Sequence, residues 1–372
     1  MIRFSALLVL LTATACAQPQ VESLMSEAGP VSVVEVQGDL ERPWGIAFLP
    51  DGRMLVTERP GRLRIVGGDA EVPPVVSGVP TVYGQGQGGM LDVALDPDFE
   101  DNQFVYLTYA APGPGGAAAT AVGRGVFQGD SLSAFEQLWV MEPMLVGPNH
   151  FGARIAFGPD GHLFVSTGER FQFEPAQDLG SHLGSVIRIH RDGSIPGDNP
   201  FVDDPDAQPE TWSYGHRNAQ SLGFHPETGT LWEAEFGPLG GDELNIIEPG
   251  VNYGWPTVSW GSNYDGSPIP DPPTRPDLED AVRNWTPVVS PSGMTFYTSS
   301  VFPEWTGSLM LGSLTKQGVV RLALEGDEVV SEETLSLGVR IRDVEQGPDG
   351  LVYVLVDQTD GAVWRLEPLE GE

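Results

Sequence analysis

Cysteine is almost missing from this 372-residue chain. Cys16 is the only one, so no disulfide can form within it. Positive charge is also scarce: 19 Lys and Arg stand against 52 Asp and Glu, for a formal net charge of -33. A surface of that sign repels nucleic acid and anionic membranes, and neither is expected as a partner. Long apolar runs are absent beyond the first residues, so no membrane span is expected in the mature chain. Helical periodicity is scarce throughout, which argues against a helical fold.

The one apolar stretch follows Arg3 and runs from Phe4 to Leu11, before the small residues Thr12, Ala13, Thr14, Ala15 and Cys16. It is too short to span a bilayer and has the layout of a signal peptide covering residues 1–15. Cleavage after Ala15 would leave Cys16 at the new N-terminus. That resembles a bacterial lipoprotein signal, although Ala13 stands where such signals usually carry Leu. The mature chain is therefore expected outside the cytoplasm, periplasmic or secreted, either freely or lipid-anchored at Cys16. Residues 16–30 are expected as a flexible tether and 31–372 as one domain.

What the chain does have is glycine (47) and proline (33) between short β-branched and aromatic runs, the composition of many strands joined by turns. One turn recurs. Phe48-Leu49-Pro50-Asp51-Gly52, Phe157-Gly158-Pro159-Asp160-Gly161 and Gln346-Gly347-Pro348-Asp349-Gly350 each separate two strand-like runs. Looser copies surround Pro97, Pro226 and Pro303. Proline presets φ and glycine accepts positive φ, so the turn has a local cause. Blades of a propeller repeat about every 40–50 residues, and the longer intervals here carry inserted loops. Six copies predict an all-β fold, a six-bladed β-propeller. A β-sandwich would not explain six copies of one turn.

Propellers bind ligands at one mouth of the channel, so polar clusters in loops flanking the hairpins are the candidates. His150, in Asn149-His150-Phe151-Gly152, is of the type that acts as a general base near neutral pH; taken alone, it fits an ordinary surface or loop histidine better. Arg217 and Asn218, in Gly215-His216-Arg217-Asn218, offer a bidentate fork and a neutral donor, or a surface ion pair. The turn Gly237-Pro238-Leu239-Gly240-Gly241-Asp242-Glu243 can aim carbonyls at one point, as calcium prefers, with Asp242 and Glu243 either ligating or organising the loop. Arg340 and Arg342 fall on one face of a strand, where two arginines repel unless an anion lies between them, while Asp343 faces the other way. Lys316 is a further cation, and Gln87 a polar group on a Gly-rich backbone.

These motifs, in this order, resemble the soluble pyrroloquinoline quinone (PQQ)-dependent glucose and aldose sugar dehydrogenases, over roughly Arg42 to Leu366. Gly215-His216-Arg217-Asn218, Gly250-Val251-Asn252-Tyr253-Gly254-Trp255-Pro256 and Gly184-Ser185-Val186-Ile187-Arg188-Ile189 are the most specific matches. The resemblance implies the same six-bladed propeller, with PQQ and Ca2+ as cofactors and an aldose oxidised at C1 to the lactone. His150 would take the anomeric proton while hydride passes to the quinone beside Arg217. Asn218, Gln87, Gln172, Lys316, Arg340 and Arg342 would contact cofactor or substrate, although the loops at Gln172 and Lys316 align less closely. The carbonyls of Gly237 and Pro238 would bind calcium. A triacid cofactor needs cations, which gives the few basic residues of an acidic chain a purpose.

Asn149 stands where the glucose dehydrogenase branch has an aspartate, and Phe236 where it has a polar residue. Both favour the broader aldose branch. The chain has no Cys-x-x-Cys-His, so a separate electron acceptor is implied. Two other readings fit a propeller: a calcium-dependent hydrolase such as a lactonase, which needs acids and asparagines on the metal, and a non-catalytic carbohydrate-binding module.

Overall fold

The computed structural model describes residues 22–269 and 273–369. The signal segment and Cys16 lie outside them. Six antiparallel sheets follow one another along the chain as the blades of a propeller. Their innermost strands are Pro43–Phe48, Met90–Leu95, Gly152–Phe157, Ala219–Phe224, Pro291–Phe296 and Ile341–Gln346. Each packs against the next, and the sixth returns to the first.

The ring is closed by hydrogen bonds between the two ends of the chain. Gly29–Leu40 lies antiparallel to Gly361–Pro368, with Val31 opposite Pro368 and Leu40 opposite Gly361. A further strand, Ser23–Ser26, pairs with Gly29–Ser32. The stretch expected as a tether is therefore strand from Ser23 onwards. Its signal is weak because this hairpin is short and half-exposed, with Leu24 and Ala28 its only apolar contacts before Val31.

The second strands, such as Met54–Glu58, Leu163–Thr167 and Val352–Val356, are buried along their whole length. Both faces are covered by neighbouring blades, which explains their nearly continuous apolar sequence. Large side chains fill the wedges between blades, including fully buried Trp232 and Trp305.

All six Pro turns join a first strand to a second, at one end of the ring. At the opposite end every innermost strand begins with a shift in register, for example between Gly152 and Ile155 and between Ile341 and Asp343. Such bulges re-aim side chains where a strand opens. Inside the channel Arg154 is a hub. Its guanidinium lies 2.9 Å from Asp343 and 3.3 Å from Asp92, and donates to the carbonyls of Gln220 and Arg342. It also lies 4.0 Å from the Trp44 ring centroid. Asp343 is thus structural, but not through simple alternation: Arg340 precedes the strand Ile341–Gln346, and the register shift between Ile341 and Asp343 interrupts the single strand face expected to carry Arg340 and Arg342.

Candidate active site

The loops at the bulged end carry the site. A small cleft of about 160 Å3 is lined there by Arg42, Arg59, Arg340 and Arg342, with Trp44, Gln87 and Phe236 among its other walls. The four arginines converge from the first and last blades. Among the described residues Asp357 is the only acid lining the cleft, and its carboxylate is 2.7 Å from Arg342 and 3.5 Å from Arg340. The anion expected between the two arginines is thus supplied partly by the chain. Four cations and one acid leave the cleft strongly positive inside a chain of net charge -33. Burial, with Arg342 nearby, pushes the Arg59 guanidinium below its ordinary value. A bound polyanion would relieve that cost.

A second group of residues sits beside this cleft, at the ends of the third and fourth blades. His150 is 4% exposed and has φ 52°. Its backbone N–H donates to Gln87 Oε1 at 2.8 Å. Its Nδ1 lies 2.5 Å from Oε1 of Glu169, a residue in the turn after Leu163–Thr167. The next two residues, Arg170 and Phe171, also have positive φ, so the turn holding the carboxylate is strained. Arg170 stabilises that turn by donating to the carbonyls of Asn149, Ala118 and Gly147, while its guanidinium lies 3.9 Å from the Phe151 ring centroid. Burial lowers the His150 pKa, and the Glu169 hydrogen bond offsets part of that effect. The ring is therefore neutral at pH 7, and with Nδ1 donating to Glu169 the lone pair sits on Nε2. Phe171 meets the imidazole edge-on at 5.2 Å.

Arg217 joins the two groups. It donates to the carbonyls of Phe236 and Gly237, at 3.0 and 2.8 Å, and to Tyr264 Oη at 3.0 Å. Asn218 Oδ1 accepts the N–H of Gly152, linking the third and fourth blades. A Cβ at Gly237 would lie 2.2 Å from the carbonyl oxygen of Gly241 and 2.3 Å from that of Gly240, so only glycine fits this carbonyl-rich turn. Asp242 organises the turn instead of facing the cleft: its two oxygens accept N–H groups of Gly237, Val289 and Ser290.

The structure brings Gln87, Arg340 and Arg342 to the cleft, with His150, Arg217, Asn218, Gly237 and Pro238 on the loops beside it. Lys316, the single lysine of the chain, is exposed in the turn after Leu309–Ser313, two residues from the cleft-lining Leu314. Gln172 is not brought there. It lines a separate surface cavity with Met144, Pro175 and Ser181, and its amide donates to the Arg170 carbonyl. Sequence reasoning missed Glu169, Asp357, Arg42 and Arg59. Each is an ordinary charged residue in a loop, set against its partner only when the two strands of its blade pair.

A propeller with a cation-lined cleft beside a carboxylate-held histidine has the layout of a cofactor-dependent oxidoreductase. Residues 40–365 match the glucose/sorbosone dehydrogenase family model, and the chain belongs to that family. It is 40% identical to the aldose sugar dehydrogenase YliI of Escherichia coli, across 93% of this chain and 95% of that one. The apo crystal structure of the soluble E. coli aldose sugar dehydrogenase superposes with a TM-score of 0.89 at 40% identity, covering 91% of this chain and 100% of that one. The PQQ-bound aldose sugar dehydrogenase of Streptomyces coelicolor gives a TM-score of 0.76 at 30% identity, covering 91% and 98%.

Proposed function

We propose that this protein oxidises aldoses at C1 to the lactone, using PQQ and calcium, with His150 as the general base. The observation that carries this reading is the cleft lined by Arg42, Arg59, Arg340 and Arg342 against the single carboxylate of Asp357. A tricarboxylate fits that charge, and few other small redox cofactors would require it. Calcium would sit at the carbonyls of Gly237 and Pro238, in the turn that excludes any Cβ. Two carbonyls fill only part of its usual six to eight oxygen ligands, so cofactor and water would supply the others. When bound, PQQ would supply the two-electron acceptor and calcium a Lewis acid.

The chain's own residues do the rest. His150 Nε2 takes the proton of the anomeric hydroxyl. Glu169 orients the ring through Nδ1 and stabilises the imidazolium that forms. Arg217 stabilises negative charge beside the Gly237 carbonyl. Arg340, Arg342 and the rim cation Lys316 hold carboxylates, and Gln87 and Asn218 fix the loops around His150 and Gly152. Phe171 packs edge-on against the imidazole and stacks in turn on Tyr264, covering one side of the base. A separate carrier removes the electrons, and residues 1–15 direct export, with Cys16 available for a lipid anchor.

A metal-dependent hydrolase would need acids and asparagines around its metal. Among the described residues the cleft is lined by one acid, Asp357, and that acid is paired with Arg342. The test is reconstitution of the purified apoprotein with PQQ and calcium, followed by dye reduction on a panel of aldoses. Turnover that requires both cofactors supports the reading. Failure to bind PQQ removes it.

A further inference from the structure

Behind Arg217 lies a buried cluster that the proposed reaction does not use. His216, Glu233 and Glu235 offer ligand atoms that all lie within 4.8 Å of one another. None of the three side chains reaches solvent to any useful extent: His216 and Glu233 are 0% exposed and Glu235 is 3%. His216 Nε2 is paired with Ser213 Oγ at 2.9 Å. His216 Nδ1 has no hydrogen bond. It faces Glu235 Oε1 at 3.6 Å and Glu233 Oε2 at 3.9 Å. Glu233 Oε1 and Asn245 Oδ1 are also unpaired and buried. Among the described residues no lysine or arginine pairs with Glu233, Glu235 or the neighbouring Glu243.

Orphaned buried acceptors are costly, and two carboxylates beside an unpaired imidazole nitrogen more so. The separations are too long for a donor meeting an acceptor. They suit ligands that share an ion: two atoms about 2.0–2.2 Å from one tetrahedral metal stand ~3.4 Å apart. The Ser213 contact on the opposite ring nitrogen is the kind of outer partner that orients a metal-ligating histidine.

We propose that His216 Nδ1, Glu233 and Glu235 form a buried divalent-cation site of the zinc class. The mix of one imidazole with carboxylates favours zinc over calcium, which prefers all-oxygen shells. The site is separate from the carbonyls of Gly237 and Pro238 and stands whether or not the cleft takes PQQ. Its effect reaches the cleft through Glu235. The second oxygen of that carboxylate accepts the backbone N–H groups of Arg217 and Asn218, so the ion pins the segment that presents both side chains.

The test strips the full-length protein with chelator and restores calcium in excess. Zn2+ is then added, unbound metal is dialysed away, and zinc is counted. About one zinc per chain is expected, with a zinc-edge X-ray absorption spectrum showing one imidazole among oxygen ligands, and a raised Tm. Glu233→Gln keeps the shape beside Asn245, and His216→Phe keeps the stack on Tyr253; both should lose the zinc. Two outcomes overturn the proposal. One is wild-type protein that retains no zinc, as expected if a proton on Glu233 takes the ion's place. The other is zinc bound without an imidazole ligand or retained in both variants, which marks an adventitious ion only. The wild-type count and spectrum decide the matter even if a variant fails to fold.

Discussion

The Nδ1 of His150 lies 2.5 Å from Oε1 of Glu169, a residue on the far side of the strand pair that His150 introduces. The acid that holds the proposed base is thus not its sequence neighbour, where Asn149 stands. The Asn149 carbonyl instead accepts from Arg170 and helps hold the strained turn that carries Glu169.

Glu169→Gln should lower kcat by about 10- to 100-fold while leaving PQQ affinity near wild type, because an amide no longer stabilises the imidazolium. His150→Ala should cost about 100- to 10,000-fold, again with the cofactor retained. Cofactor titration by absorbance, run beside steady-state kinetics, separates the two effects. Wild-type turnover in His150→Ala would remove this residue as the base.

The pH profile follows from the direction of the His150 shift. Burial holds its pKa below the ordinary 6.5 of histidine, so the neutral, active form persists to lower pH. The acid limb of kcat/KM should therefore fall below pH 6.5. In Glu169→Gln the hydrogen bond that raises this pKa is weakened, and the limb should move lower still.

Arg340 is the exposed member of its pair, with a side chain 49% accessible, whereas Arg342 is buried against Asp357. Arg340→Ala should weaken PQQ binding by about 10- to 100-fold with little change in Tm, as expected for loss of one charge-assisted contact. Arg342→Ala should also destabilise the fold, by about 3–5 kcal/mol, because it strands the Asp357 carboxylate. Thermal unfolding of both apo variants distinguishes the cases.

Gln172→Ala should leave PQQ affinity unchanged, since this side chain lines a different cavity. A tenfold loss in the same titration would place Gln172 in the cleft after all. Gly237→Ala, by contrast, should abolish calcium-dependent activity, because its Cβ would collide with the carbonyls of Gly240 and Gly241.

Much of this was legible in the sequence, for identifiable reasons. The six Pro turns are local devices, and a local device repeated six times reveals the ring. His150, Arg217 and Gly237 sit in motifs dense enough in glycine, proline and polar residues to stand out. Glu169 and Asp357 do not, because each is one acid among 52 and matters only through a partner brought close by folding. The misplacement of Gln172 has the same origin: a loop with three residues at positive φ between Arg170 and Phe173 does not follow a linear reading. The strand at Ser23–Ser26 escaped notice because its pairing depends on Gly29–Ser32 being fixed against the far end of the chain.

That pairing of Gly29–Leu40 with Gly361–Pro368 sets a timetable for biosynthesis. The first residues of the domain to leave the ribosome must wait for nearly the last before their hydrogen bonds exist. Until then the chain is an open fan whose two outer edges are unpaired and open to proteases. Closure turns both edges inward at once, so a nick or deletion in either of these two strands should undo the molecule far more readily than one in a loop between blades.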